Sequence, residues 1–150
     1  MDFRVAVELP CAQERAHAEL AALDRYPDWL SIVQEVATAP ADPADPGPAW
    51  WVGVGARVGP LRRTKRVRMV RTVDEPARVL FARREVDGSA HGPWLLAVEL
   101  ESRPGSPAAT FTMVSLHYGG SAWLPLLDAV LAREARAAAA RLRARVADLE

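Results

Sequence analysis

Phe3, Val5, Val7 and Leu9 alternate with Arg4, Ala6 and Glu8. A period of two with one polar face predicts a half-buried β-strand. Pro10 ends it. Gln13 to Leu23 is built of good helix formers, and Ala12, Ala16, Leu20 and Leu23 give it a narrow apolar stripe suited to lying near a sheet edge. Asp24-Arg25-Tyr26-Pro27 breaks this helix, because Pro27 cannot continue it. A second short helix is expected over Asp28 to Ile32, then a strand over Val33 to Ala39. Pro40, Pro43, Pro46 and Pro48, with two Ala-Asp-Pro units, make a stiff loop before Trp50.

Strand signals then recur at hairpin spacing. Trp50 to Val58 carries Val52, Val54 and Ala56 on one face, with Gly53 and Gly55 on the other. Arg63 to Val73 alternates strongly, and Arg78 to Glu85 follows the turn Asp74-Glu75-Pro76. After Asp87-Gly88-Ser89, Trp94, Leu96, Val98 and Leu100 alternate against Glu99 and Glu101. Thr110 to Tyr118 is the last strand, with Phe111, Met113, Ser115 and His117 in one register, and Gly119-Gly120 breaks it. Ser121 can cap a helix whose first turn tolerates Pro125. In that helix Leu124, Leu127, Leu131, Ala135, Ala138, Leu142, Val146 and Leu149 form one apolar face. About 28 helical residues span roughly 42 Å, so this helix must lie across a sheet to bury its face. The pattern alone gives an α+β fold with an antiparallel sheet.

Composition adds limits. The chain has 150 residues, a formal net charge of zero, and half its residues are hydrophobic. That fits one domain over residues 1–150 with a core needing no staples, and it supplies no global field for nucleic acid or anionic membrane. Cys11 is the only cysteine. It permits no intrachain disulfide and fits a reducing, cytoplasmic setting. It follows Pro10 at a helix start, where the dipole could lower its pKa; the plainer reading is a small buried residue. Met1 to Val7 has no basic n-region followed by a long apolar run, so no signal peptide is expected. No stretch approaches about 18 uncharged apolar residues, so no membrane span is expected either. Abundant alanine, and arginine in place of all lysines but Lys65, reflect the coding bias of a GC-rich bacterium.

The order is strand, two short helices, six strands and a long helix. The phrase Leu23-Asp24-Arg25-Tyr26-Pro27-Asp28-Trp29-Leu30 follows the first helix, and Gly119-Gly120 precedes the last. Over nearly its whole length this resembles the START-like superfamily, also called SRPBCC or Bet v 1-like. It is most similar to the branch holding polyketide cyclase/dehydrase and lipid-transport proteins. The resemblance implies a helix-grip fold, in which a curved antiparallel sheet of about seven strands wraps the C-terminal helix and leaves a ligand cavity between them. It also implies an apolar small-molecule partner such as a lipid, isoprenoid or polyketide, with no cofactor, in a monomer or homodimer. The expected cavity lining is Trp29, Trp50, Met69, Arg71, Phe81, Trp94, Met113, His117, Leu127 and Leu131.

The candidate chemistry has two readings at each position. The five tryptophans Trp29, Trp50, Trp51, Trp94 and Trp123 could line an apolar pocket, or simply pack the core. Arg71 shares a face with Val67 and Met69, where it could hold a carboxylate, phenolate or enolate oxygen. Resemblance to the aromatase/cyclases implies that it orients a polyketide, although the aromatic and hydroxyl residues expected two and four positions earlier are here Met69 and Val67. Otherwise it reaches solvent at a strand end or pairs with a carboxylate. His117 could act as acid or base, or be a hydrogen-bonded structural residue. His17 and His91 lie far from it in sequence, with no ligand-like spacing for a metal. Arg57, Arg62, Arg63, Lys65, Arg66, Arg68 and Arg71 fall in one acid-free stretch that could bind RNA or lipid head groups. The alternation of Arg66 and Arg68 with Val67 and Met69 instead predicts a solvated outer face, with Glu85, Glu99 and Glu101 as cross-strand partners. Three functions follow: binding of a hydrophobic small molecule, a cyclase/aromatase using Arg71 and His117, or an interaction module on the basic strand 57–71.

Overall fold

The computed structural model describes residues 2–58, 60–118 and 124–148, with side chains at 3–55, 60, 64–118 and 133–147. Seven strands form one antiparallel sheet: β1 (Asp2–Leu9), β2 (Val33–Thr38), β3 (Ala49–Val58), β4 (Leu61–Glu75), β5 (Arg78–Arg83), β6 (Trp94–Arg103) and β7 (Ser106–Tyr118). Their spatial order is β1-β7-β6-β5-β4-β3-β2. From β2 to β7 each strand therefore pairs with its chain neighbour, while β1 closes on β7. Bulges between Val33 and Glu35 and between Arg71 and Val73 add local twist, and the sheet curls into a half-barrel around the C-terminal helix. That helix, α2 (Leu124–Asp148), has 25 residues, so it is about 38 Å long. It packs on β1 and reaches β3 and α1 (Gln13–Leu20). Among the described residues no helix is long and apolar enough to cross a membrane.

The core fills the concave side of the sheet. β1 sends in Phe3, Val5 and Leu9; β6 sends in Trp94, Leu96, Val98 and Leu100; α2 contributes Ala138, Leu142 and Val146 at four-residue spacing. The C-terminal half of α2 is also tied by charge. Glu19 of α1, buried at 1% exposure, accepts from Arg145 Nε at 2.5 Å and from Arg25 Nη1 at 3.1 Å. Arg145 also meets Asp28 at 2.9 Å, Ser31 donates to Glu134 at 2.5 Å, and Arg141 reaches the Trp29 carbonyl at 3.4 Å.

Three expectations from the sequence are corrected. The first helix ends at Leu20, and the second short helix is a 3-10 helix over Leu23–Asp28 with Pro27 inside it. A piece this short loses only one hydrogen bond to proline and has little upstream turn for the ring to strike. Residues 29–32 turn the chain into β2, with the Ile32 carbonyl accepting from Gly55 N–H at 2.8 Å.

The second correction is on β7. Thr110, Thr112, Val114, Leu116 and Tyr118 face inward, whereas Met113 is half-buried and His117 exposed on the outer face. Directly opposed residues share a face. Trp94, Leu96 and Val98 stand opposite Tyr118, Leu116 and Val114, and Phe3 and Val5 stand opposite Leu116 and Val114. Both neighbours therefore select the even-numbered set.

The third concerns Arg68, which is 1% exposed rather than solvated. The proline-rich loop folds over the outer face of β4. Asp45 takes Arg68 Nη2 at 2.6 Å and Nη1 at 3.1 Å, and the Pro40 and Arg84 carbonyls accept at 2.8 and 3.0 Å. Gly47 is required there, because a Cβ would collide with the Arg71 carbonyl. A small outer cluster of Ala39, Ala49 and Val70 with Trp51 completes this layer.

Candidate functional site

A void of about 30 Å³ lies within the core on the concave side. The inward faces of four strands meet there: Val52 and Val54 of β3, Val67 and Met69 of β4, Trp94 and Leu96 of β6, and Leu116 of β7. Leu23 of the 3-10 helix, Leu30 and Ile32 of the following turn, and Val33 at the start of β2 complete the described lining. Among the described residues every wall residue is apolar in character, and no polar atom contributes to the surface of the void. The Trp94 ring stacks on Tyr118 with centroids 5.2 Å apart and planes 29° apart. Its Nε1 is buried with no hydrogen-bond partner.

Beside the void stands an aromatic cluster. Tyr26 meets Trp29 at 5.0 Å and Phe81 at 6.2 Å, and Trp50 meets Phe81 at 5.7 Å. Tyr26 donates to the Leu20 carbonyl at 2.9 Å. Burial, helped by the charge of Glu19, pushes its hydroxyl far above the usual tyrosine range, so it stays protonated at any physiological pH. Trp50 Nε1 donates to Asp24 at 2.6 Å, whereas Trp29 Nε1 and Thr112 Oγ1 are buried without partners.

Of the ten residues expected to line a cavity, Met69 and Trp94 do so. Trp29, Trp50 and Phe81 are buried in the adjoining aromatic cluster. Met113 and His117 point away, on the outer face of β7. The side chains of Leu127 and Leu131 lie outside the described residues, as does Trp123. Arg71 stands where β4 meets α1: it donates to the Ala21 carbonyl at 2.8 Å and pairs with Asp74 at 3.4 Å. The wall residues that the sequence did not single out, such as Leu96 and Val67, sit on the same alternating faces as Trp94 and Met69. That shared face was the available signal. Leu30 and Ile32 carried none, because they belong to an aperiodic turn.

On the surface, Asp74 also takes His17 Nε2 at 2.7 Å. These two residues line an open groove with Gln13, Glu14, Glu75 and Pro76. Among the described residues no hydroxyl or thiol side chain lines it, so the histidine–carboxylate pair has no nucleophile to activate. Among the described residues no group of three histidine, cysteine, aspartate or glutamate side chains is placed to hold a metal ion. Among the described residues the basic stretch does not form a continuous cationic face. Arg57, Arg62 and Arg63 have side chains outside the described residues, and Arg66 stacks over Trp51 at 4.5 Å. Arg68 is buried on Asp45, and burial with the nearby charge of Arg83 pushes Lys65 below the ordinary lysine range.

No family model and no curated protein matches the sequence. Solved structures do match, over nearly the full chain. A START superfamily protein from Mycobacterium smegmatis has a TM-score of 0.68 at 14% identity, covering 99% of both chains. A protein from Thermus thermophilus has a TM-score of 0.71 at 15% identity, covering 100% of this chain and 99% of that one. The Zhui aromatase/cyclase from a Streptomyces species has a TM-score of 0.65 at 12% identity, covering 97% of this chain and 93% of the other. At these identities the likeness is one of architecture, and it agrees with the curled sheet, the two short helices after β1 and the long terminal helix. The chain has the START-like, helix-grip fold.

Proposed function

We propose that the chain binds an apolar small molecule between the concave face of the sheet and α2, at the void beside Trp94. The observation that carries this reading is the chemistry of the wall: β3, β4, β6 and β7 converge on one unfilled space whose lining, among the described residues, holds no charged group. The space of about 30 Å³ is near the share of one water molecule and far below the roughly 300–1,000 Å³ of sites that enclose whole ligands. Loading therefore requires the walls to part. Met69, with its unbranched and adaptable side chain, is suited to yield. Affinity is then reduced by the fraction of molecules that are open, and a ligand that binds stabilises the fold by mass action.

The aromatase/cyclase chemistry named for the Streptomyces neighbour is the weaker reading here. It needs polar groups converging on one pocket. Arg71 is committed to Ala21 and Asp74 at the rim, and His117 lies on the opposite face of the sheet.

The test is solvent extraction of the purified protein with mass spectrometry, followed by thermal shift across fatty acids, isoprenoids and aromatic polyketides. A ligand at one hundred times its Kd contributes about 2.7 kcal/mol, which should raise Tm by roughly 5–10 °C in a chain of this size. A protein that yields no extractable apolar molecule and shows no shift with any member of the panel would end this proposal.

A further inference from the structure

We infer that β1 is a docking edge for a second copy of this chain, and that it pairs antiparallel with the β1 of that copy about Ala6. Among the described residues β1 has a strand on one side only, because it ends the sheet beside β7. An end strand offers every second backbone N–H and carbonyl to another strand, and proteins blunt such edges with shortness, proline, lysine or bulges. The opposite edge is blunted in this way: β2 has six residues and a bulge between Val33 and Glu35. β1 has neither device. Its eight residues pair with β7 in unbroken register and include no proline or lysine.

The residues of β1 select the partner. Phe3, Val5 and Leu9 are buried on the concave face, and Arg4, Ala6 and Glu8 are exposed on the other. A second β1 must keep this division, since a shift of one residue would set apolar side chains against charged ones. The registers that keep it are two-fold and centred on a residue. Centred on Ala6, Arg4 of each copy stands opposite Glu8 of the other, Val5 opposite Val7, and Phe3 opposite Leu9. Opposed charges of opposite sign and opposed apolar pairs are the favourable units of a sheet. Centring on Val5 sets Asp2 against Glu8, and centring on Val7 sets Arg4 against Pro10, which has no amide hydrogen. The Ala6 register alone matches charge to charge and apolar to apolar. The contact is isologous and closes at two copies. A wholly acidic or wholly basic peptide would match one of the two charges and oppose the other.

The test is sedimentation equilibrium on the full chain from micromolar to millimolar concentration, alongside Arg4→Glu and the double charge exchange Arg4→Glu/Glu8→Arg. The unsubstituted protein should show a monomer–dimer equilibrium that weakens with salt. Arg4→Glu sets like charges opposite each other at both symmetric places. It should raise the dimer Kd about tenfold, a few-fold for each place. The double exchange should recover most of that loss, because both pairs return with their signs reversed. It also removes the surface pair of Glu8 with Arg103 at 2.6 Å, but that pair lies within one copy and its loss falls equally on monomer and dimer. Hydrogen exchange of the unsubstituted protein gives a readout that needs no variant to fold. Alternate amides of β1, those turned away from β7, should gain protection at high concentration and lose it on dilution. A chain that stays monomeric throughout, a dimer indifferent to Arg4→Glu, or a loss that the double exchange does not recover would each overturn the β1 assignment. β1 supplies no residue to the described lining of the void, so these outcomes are separate from those of the ligand panel.

Discussion

Arg68 is on the outer face of β4, yet it is as buried as the core leucines, because one loop lies over it. Its partner Asp45 is 23 positions away in sequence, and nothing local to β4 marks the pair. Alternation of arginine with valine is what a solvated face looks like; only the folded loop distinguishes the two. Removing one member of a buried pair strands the other, which is worse than removing both. Asp45→Ala should therefore destabilise the fold by about 3 kcal/mol, the low end for such pairs, since the covering loop is one layer thick. The Arg68 hydrogen bonds hold the Asp45 carboxyl below the usual aspartate range, outweighing the upward push of burial. Its stabilising contribution is thus complete above the unfolded value of about 3.9 and is lost as pH falls through the lower folded value. In urea titrations the stability gap between the unsubstituted protein and Asp45→Asn should be constant from neutral pH to about pH 5 and close in stronger acid. A gap that is unchanged in strong acid would show that the carboxylate charge is not what holds the loop.

Elements were legible where one face was clearly polar. On β6, Glu99 and Glu101 oppose Leu96, Val98 and Leu100, so its inward face was assigned from sequence alone and stands. On β7 both faces carry apolar residues: Phe111 and Met113 on one, Val114, Leu116 and Tyr118 on the other. The odd register expected from sequence put Met113 and His117 inside, and a slip of one residue inverts every side chain. The register follows from pairing with β1 and β6, which is long-range information. The long helix was legible from its repeat, but not its fastening. Glu19 reads as one more polar residue of α1, whereas it is the buried anchor for Arg145 of α2 and Arg25. Arg145→Ala leaves Glu19 with Arg25 and frees the end of α2 from Asp28. The expected loss is about 1–2 kcal/mol, because Arg145 is partly exposed and water screens what it held. Hydrogen exchange should rise over residues 138–147 while β6 stays protected. Uniform acceleration across the sheet would instead mean that the ion pair supports the whole core rather than the docking of one helix.

At the scale of the whole molecule, period-two strands, short turns and one long amphipathic helix implied a layered α+β chain. Resemblance in element order supplied the grip of sheet on helix. What the pattern did not convey was how little space the grip leaves. Periodicity tells which face a side chain takes, whereas the volume between faces depends on how Val52, Met69, Trp94, Leu96 and Leu116 interlock. Cavity energetics offers a way to ask whether the void is a seed for binding or an ordinary packing defect. Leu96→Ala removes side-chain atoms from the wall itself, and Leu142→Ala removes the same number from a position on α2 that is also buried but is not among the residues lining the void. Both should cost about 2–5 kcal/mol. If the void is continuous with a ligand space, cyclooctane should restore much of the lost Tm in Leu96→Ala, as apolar cavities take apolar guests, and very little in Leu142→Ala. Equal rescue of the two variants, or rescue of neither, would place the void among the small imperfections of a packed interior and leave the fold without its proposed guest.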